Sequence, residues 1–183
     1  GGFGQLGTSV YQRLIGGFDI IRTGRIKPAG VEGIEMDLRD GVKVKQIIQL
    51  FKPDLILHLG AMTNVDQCEL NPYIAREVNI AGTEHLCEAF SGKIIYISTD
   101  YVYPGTNGDY NEDDALSPFV GKSDGVNKYG WSKLGGECAV RMYDNSLILR
   151  TCICDYPFPH GQALTDVKKS LMYNFEAARI VTN

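Results

Sequence analysis

Tyr129 and Lys133 stand at positions i and i+4 in the run Tyr129-Gly130-Trp131-Ser132-Lys133, some thirty residues after a β-like run ending Ser98-Thr99-Asp100. On a helix such positions share a face. A phenol beside a fixed ammonium is expected to have its pKa drawn down from about 10 towards neutrality. That would make it a proton donor and acceptor for a carbonyl/alcohol interconversion. An ordinary surface pair has the same spacing, so the motif gains meaning only from its surroundings. The chain opens Gly1-Gly2-Phe3-Gly4-Gln5-Leu6-Gly7, a G-x-x-G-x-x-G pattern. Glycines in a strand-to-helix turn let backbone N–H groups reach a pyrophosphate at a helix N-terminus. Leu6, Val10, Leu14 and Ile15 recur at helical spacing until Gly16-Gly17, which predicts that helix. A flexible glycine-rich terminus is the competing reading. The strand that should precede the turn would lie before Gly1, and we expect it to be missing from the recorded chain. About twenty residues beyond the first glycine, where a dinucleotide-binding unit meets the adenosine ribose, stands Arg22, followed by Arg25 and Lys27. A guanidinium suits a 2′-phosphate, so the residues lean towards NADP(H), with NAD(H) second. A solvated basic loop would carry the same residues.

The elements that must position these groups alternate between strand and helix, which predicts an α/β fold with a parallel, doubly wound sheet of the Rossmann type. Strands are expected at 18–22, 33–38, 54–60, 93–98 and 146–151, and helices at 42–51, 72–90 and 127–143. The continuous apolarity of 54–60 predicts a fully buried strand. Residues 103–126, rich in Gly, Asp, Asn and Pro, read as one long functional loop. Further on, 167–178 is expected to be helical and 179–182 to begin a strand. The glycine turn, Asp37, Gly60-Ala61-Met62-Thr63 and Ser98-Thr99-Asp100 all fall at the carboxyl ends of expected strands, where open parallel sheets bind ligands.

With 183 residues the chain can bury one good core, and no linker divides it. A net charge of −4 with no basic stripe argues against nucleic acid, and no apolar run reaches the length of a membrane span. The five cysteines lack paired metal-site spacing and are expected to be reduced thiols, with Cys152 and Cys154 a strand pair. His58, His85 and His160 are isolated in the sequence, so no metal is expected. A cytoplasmic location and a homodimeric assembly are expectations.

Several segments resemble the extended short-chain dehydrogenase/reductase family, in its dTDP-4-dehydrorhamnose reductase-like branch. They are the opening G-x-x-G-Q-L-G, Asp37-Leu38-Arg39-Asp40, the run from His58 to Glu69, Val78-Asn79-Ile80-Ala81-Gly82-Thr83, Ser98-Thr99-Asp100-Tyr101-Val102-Tyr103-Pro104-Gly105, Tyr129 to Glu137, and Leu149-Arg150-Thr151. The resemblance implies an NAD(P)-binding Rossmann domain over 1–183, with 152–183 the start of a substrate lobe whose greater part is missing. It implies reduction of a keto group on a nucleotide-linked sugar. Gly1, Gly4, Gln5, Leu6, Gly7, Arg22, Asp37, Leu38, Gly60, Ala61, Thr63, Tyr129 and Lys133 would then hold the cofactor. Tyr129 would protonate the carbonyl oxygen, Lys133 would hold the nicotinamide ribose, and Thr99 would bond the reacting oxygen. Asp100 and Tyr101 would line the sugar pocket. Asn79 is expected to satisfy backbone groups at a helix irregularity, and Ser98 to pack in its strand. Cys152-Ile153-Cys154 stands where the branch carries an aromatic residue, and the loop with Lys122, Ser123, Asp124 and Gly125 is longer than in the branch. Both differences lie on the substrate side. Two alternatives share the motifs. One is a nucleotide-sugar epimerase; the other is an NADP-holding regulatory subunit like the β subunit of methionine adenosyltransferase. Dehydration is disfavoured by Tyr101, which stands where dehydratases carry an acid.

Overall fold

The computed structural model describes residues 1–106, 108–118, 127–158 and 170–183. The loop with Lys122, Ser123, Asp124 and Gly125 lies outside them, as do His160 and the first residues of the helix expected from Val167. The described residues form two compact units, Gly1–Met36 with Thr151–Asn183, and Asp37–Arg150.

In the first unit, helix α1 (Gln5–Leu14) buries Gly7 and Val10 and ends before Gly16, whose φ of 89° few other residues adopt. Strand β1 (Thr23–Gly24) pairs in parallel with β2 (Ile34–Glu35). The strand expected at 18–22 thus begins later. Phe18 makes only an isolated bridge to Ile15 and is 70% exposed, because its apolar run has no ladder partner among the described residues. Strand 33–38 likewise shrinks to two residues, since the Asp40 N–H closes a turn on the Asp37 carbonyl at 3.1 Å. The end of β5 (Ser146–Cys154) pairs in parallel with β6 (Leu171–Tyr173), with Cys152 opposite Leu171. Helix α7 (Asn174–Val181) follows at once, buries Ala177 and Ala178, and packs on α1, with Arg13 Nε donating to Thr182 Oγ1 at 3.1 Å. The expectation of a helix to 178 and a strand at 179–182 is corrected here. The Glu176 carboxylate accepts the Tyr173 N–H at 2.9 Å and so starts the helix at Asn174.

In the second unit, α2 (Gly41–Phe51) is capped by Asp40, which accepts the Lys43 N–H at 2.9 Å, and buries Val44, Ile47 and Ile48 at helical spacing. Strand β3 (Leu55–His58) pairs in parallel with β4 (Lys93–Thr99) and is the edge of its sheet among the described residues. An edge position explains why Leu55 is 45% exposed, where continuous burial was expected. Helix α3 (Val65–Leu70) precedes the long helix expected at 72–90. That helix runs as α4 (Pro72–Arg76), a π-helical turn (Glu77–Ala81) and α5 (Gly82–Ala89) without leaving the helical path. Helix α6 (Lys128–Arg141) follows, capped by Asn127, and β4 borders β5, of which residues to Arg150 belong here. Cys87, Ile94, Tyr96 and Val140 form the core, with Ile56, Phe90 and Ile148 packed around them. The architecture is α/β of the Rossmann type, with strands paired in parallel and linked by helices. All five cysteines are free thiols, and no helix among the described residues is long and apolar enough to cross a membrane.

Gly136 sets the approach of α6 to this core. A Cβ there would collide with the Tyr96 hydroxyl and lie 2.7 Å from the Asn79 carbonyl oxygen. Overpacking of this kind typically costs about 1–3 kcal/mol. Gly136→Ala is therefore expected to lower the urea midpoint by a corresponding amount, and a midpoint equal to that of the unmodified chain would show that the contact is slack.

Candidate active site

The sequence-predicted residues fall into two groups, one in each unit. In the first unit the glycine turn is held by backbone bonds. Gly2 N donates to Thr23 O at 2.8 Å, and Gly4 N to Gly1 O at 3.1 Å. A Cβ at Gly7 would clash with the Gly1 carbonyl and lie 2.8 Å from Gly2 Cα, so this position tolerates only glycine. Gly4, the residue before α1, brings no side-chain oxygen to the helix N-terminus, whereas Asp40, Asn64 and Asn127 close α2, α3 and α6. The first N–H groups of α1 therefore meet no side-chain cap, which fits a diphosphate at that end. Gln5 accepts from Asn174 Nδ2 at 3.4 Å. Leu6 is half-buried in the first turn of α1. The Arg22 guanidinium lies 5.2 Å from the Phe3 ring centroid and 4.6 Å from that of Tyr11. Its Nε donates to Gly2 O at 2.9 Å and its Nη2 to Thr8 Oγ1 at 3.2 Å. Arg22 thus braces the glycine turn, a role its position in the sequence did not disclose. Lys27 turns away to the Val31 carbonyl, 3.1 Å from its Nζ.

In the second unit, Asp37 is paired with Arg39, whose Nη2 lies 2.6 Å from the carboxylate. Leu38 packs on Gly82 of α5, and its carbonyl lies 2.7 Å from His85 Nδ1. After β3 the chain passes through Gly60, Ala61, Met62 and Thr63. Asn79 clamps this loop: its Oδ1 accepts Met62 N at 2.7 Å and its Nδ2 donates to Met62 O at 3.0 Å. Asn79 sits in the π-helical turn, as expected for a side chain that satisfies backbone groups at an irregularity. Its Nδ2 also donates to Ser132 Oγ at 2.8 Å, and Ser132 Oγ donates to the Tyr129 carbonyl at 2.8 Å. The loop after β3 and the first turn of α6 are therefore one hydrogen-bonded unit. Ser132 was the missed member. The signal was a small polar residue on the buried face of an otherwise amphipathic helix.

β4 delivers Thr99, buried, at its carboxyl end, and a 3-10 turn at Asp100–Val102 turns the chain past α6. Thr99 Oγ1 donates to Asp100 Oδ1 at 3.2 Å and accepts the Tyr101 N–H at 3.3 Å. Thr99 also lies close enough to the Tyr129 side chain to act on its titration, and the Tyr101 ring meets Tyr129 edge-on with centroids 5.9 Å apart. Thr99, Asp100, Tyr101 and Tyr129 are thus brought together. Lys133 lies one turn along α6, 3% exposed, with Nζ 4.0 Å from the centroid of the Tyr96 ring. The Tyr96 hydroxyl donates to the Lys133 carbonyl at 3.3 Å. Behind it, buried His58 lies 3.0 Å through Nε2 from Thr83 Oγ1, which itself donates to the Asn79 carbonyl at 2.8 Å. His58 therefore carries its proton on Nε2, and burial, then the Lys133 charge, holds its pKa well below the usual range.

The expected acidification of Tyr129 is not what the site produces. Burial pushes its pKa up to about 12; the Thr99 hydrogen bond opposes the rise, and the Asp100 charge adds to it. Burial lowers Lys133 to about 7, and the Glu137 charge opposes that fall. Spacing alone predicted a lysine charge acting on a phenol. Enclosure disfavours the charged form of both groups, so each tends to its neutral state.

Residues 1–156 match the family described as RmlD substrate binding domain. A dTDP-4-dehydrorhamnose reductase of Aggregatibacter actinomycetemcomitans is 35% identical over 156 residues, which is 82% of this chain and 49% of that protein. The methionine adenosyltransferase 2 subunit beta of Xenopus tropicalis is 38% identical over 108 residues, 57% of this chain and 30% of that protein. Among solved structures, the dTDP-4-dehydrorhamnose reductase of Bacillus anthracis in complex with NADP superposes with a TM-score of 0.75 at 24% identity. It covers 97% of this chain and 66% of that one, and at this identity it bears on the fold. The chain spans about half or less of the length of the two curated relatives.

A buried lysine that titrates near 7 leaves a stability signature. Its folded pKa of about 7 lies below the ordinary 10.5. The native chain then binds fewer protons than the unfolded one between those values, and stability rises with pH across that window. The penalty is full below about pH 7 and is relieved by about pH 10.5. Lys133→Met is expected to raise the melting temperature of the cofactor-free protein at pH 6, by roughly 2–4 °C per kcal/mol gained, and to flatten the rise from pH 7 to 10. Identical pH profiles for the two proteins would show that Lys133 is not buried as described.

Proposed function

The chain belongs to the RmlD substrate binding domain family, and on that premise we propose that it serves in an NADPH-dependent reductase acting on a keto group of a nucleotide-linked sugar, of the dTDP-4-dehydrorhamnose type. The observation that carries this reading is the Tyr129 phenol beside buried Thr99 at the end of β4, with Lys133 on the next turn of α6. The cofactor, when bound, supplies hydride. Tyr129 stays protonated until negative charge develops on the substrate oxygen, then gives that oxygen its proton. Thr99 turns its hydroxyl proton from Asp100 to the same oxygen and fixes its position. Asp100 and Tyr101 line the sugar pocket. Lys133 holds the nicotinamide ribose, and Gly60, Ala61 and Thr63 pass the nicotinamide. Asp37 and Leu38 lie at the adenine. The backbone of Gly1, Gly4, Gln5, Leu6 and Gly7 receives the diphosphate, with Arg22 beside the ribose 2′-phosphate. Residues 152–183 begin the substrate lobe. The protein works in the cytoplasm as a homodimer. A regulatory role is the second reading, favoured by the likeness to the β subunit.

The test is NADPH oxidation by the full chain with a dTDP-4-keto-6-deoxy sugar. Net oxidation supports the reductase. Recycling of the cofactor with inversion of the sugar supports an epimerase, and capture of a catalytic partner without turnover supports the regulator. Tyr129→Phe is expected to lower kcat by roughly 10²–10⁴-fold, with NADPH affinity nearly unchanged; near-normal turnover would remove Tyr129 from its role. NADPH is expected to bind more tightly than NADH, measured by fluorescence titration. Arg22→Ala should weaken both, because the brace on the glycine turn is lost, and should narrow the difference between them. Equal affinities in the unmodified protein would contradict the 2′-phosphate assignment.

A further inference from the structure

One charged cluster beside the site has no part in the chemistry above. Glu137, fully buried on α6, is held by Arg150 of β5: Nε lies 3.0 Å from Oε1, and Nη2 lies 2.8 Å from Oε2. The remaining nitrogen, Nη1, donates to the Tyr103 hydroxyl at 2.8 Å and to the Glu112 carbonyl at 3.0 Å. The Tyr103 hydroxyl donates onward to the Asn111 carbonyl at 3.1 Å, and its ring stacks on Tyr110 with centroids 4.9 Å apart. One guanidinium therefore binds the catalytic helix on one side and the segment following Asp100 on the other.

We propose that Glu137 and Arg150 are positioning residues for the reductase site, the carboxylate seated one helical turn beyond Lys133 and the guanidinium tying the segment after Asp100 to α6. This deepens the reading given under the proposed function and rests on it. A buried ion pair is weak evidence of stabilisation, because desolvation offsets its attraction and an apolar pair of similar volume often does as well. Its value here is to place a negative charge at i+4 from Lys133 and to fix it by two hydrogen bonds. Among the described residues, the titratable groups around Lys133 are Tyr129 and Glu137 on its own helix, Tyr96 from β4 and His58 from β3; Cys68 of α3 and Asp100 act on Tyr129. Tyr96 and His58 are neutral there, and burial drives the amine the same way. Among the described residues Glu137 is the neighbour whose charge opposes the fall of the Lys133 pKa.

The test uses Glu137→Gln and, because Gln would leave Arg150 buried without its partner, the double variant Glu137→Gln/Arg150→Met. Lys133 titration is followed by NMR of 13C,15N-labelled lysine in the absence of substrate. In both variants it is expected to fall by about one pH unit or more. The high-pH limb of kcat should move down by the same amount, a roughly tenfold loss of turnover on that limb. Arg150→Lys, which keeps the charge and loses the fork, is expected to raise KM for the nucleotide-sugar several-fold while NADPH affinity holds. A lower melting temperature with Lys133 titrating as in the unmodified chain would make the pair merely structural and overturn the proposal. The lysine titration needs no turnover, so it is decided separately from the reaction. Failure of the unmodified chain to oxidise NADPH would refute the function and leave the titration result standing.

Discussion

Taking an ammonium group out of water costs several kcal/mol in a protein interior, and the second unit is arranged around that cost at Lys133. Its Nζ is placed over the face of Tyr96, where the ring quadrupole attracts it. Tyr96 is held in turn by its bond to the Lys133 carbonyl. The carboxylate of Glu137 supplies the compensating charge. Gly136 allows α6 to approach closely enough for all three, since any side chain there would push the helix off Tyr96 and Asn79. The same close approach lets Asn79 reach both Met62 and Ser132, so the register of α6 against the loop after β3 follows from it.

This enclosure also changes the chemistry attributed to the tyrosine. In water a nearby ammonium would acidify a phenol; in a dry pocket both groups are pushed towards neutrality, and Tyr129 rises to about 12. A phenol with so high a pKa is fully protonated at neutral pH. It is suited to donate when charge builds on an oxygen in front of it, with Thr99 beside it at the end of β4. Preorganisation, not a standing phenolate, is what the site offers. The polar residues buried around it form a continuous chain from His58 through Thr83 and Asn79 to Ser132, each bonded to the next or to its backbone. Such a chain resists displacement because breaking any link leaves a buried polar atom unpaired.

Much of this was legible in the residues. The helical spacing of Val44, Ile47 and Ile48 placed α2, and the helix expected at 127–143 falls on α6. The grouping of Thr99, Asp100, Tyr101 and Tyr129 followed from motif order. Other features depended on long-range contacts that local pattern does not encode. Phe18, Ile20 and Ile21 satisfy a strand pattern, yet a strand requires a partner in register, and the ladder forms at Thr23 instead. The π-helical turn was hidden because Glu77–Ala81 contains no helix breaker, although Asn79 hinted at it. The Glu137–Arg150 clamp joins a helix to a strand, so neither residue announces its partner. The Tyr129 shift was missed because spacing conveys proximity and says nothing of dehydration.

The central claim is that burial, more than the neighbouring lysine, governs Tyr129. Labelling tyrosine at Cζ with 13C and titrating the cofactor-free protein by NMR measures this directly, with Tyr129→Phe to assign the resonance. The account gives a Tyr129 signal that remains that of the neutral phenol through pH 10 and begins to move only towards about 12. A resonance that titrates between pH 7 and 9 would contradict it and restore the lysine as the controlling charge.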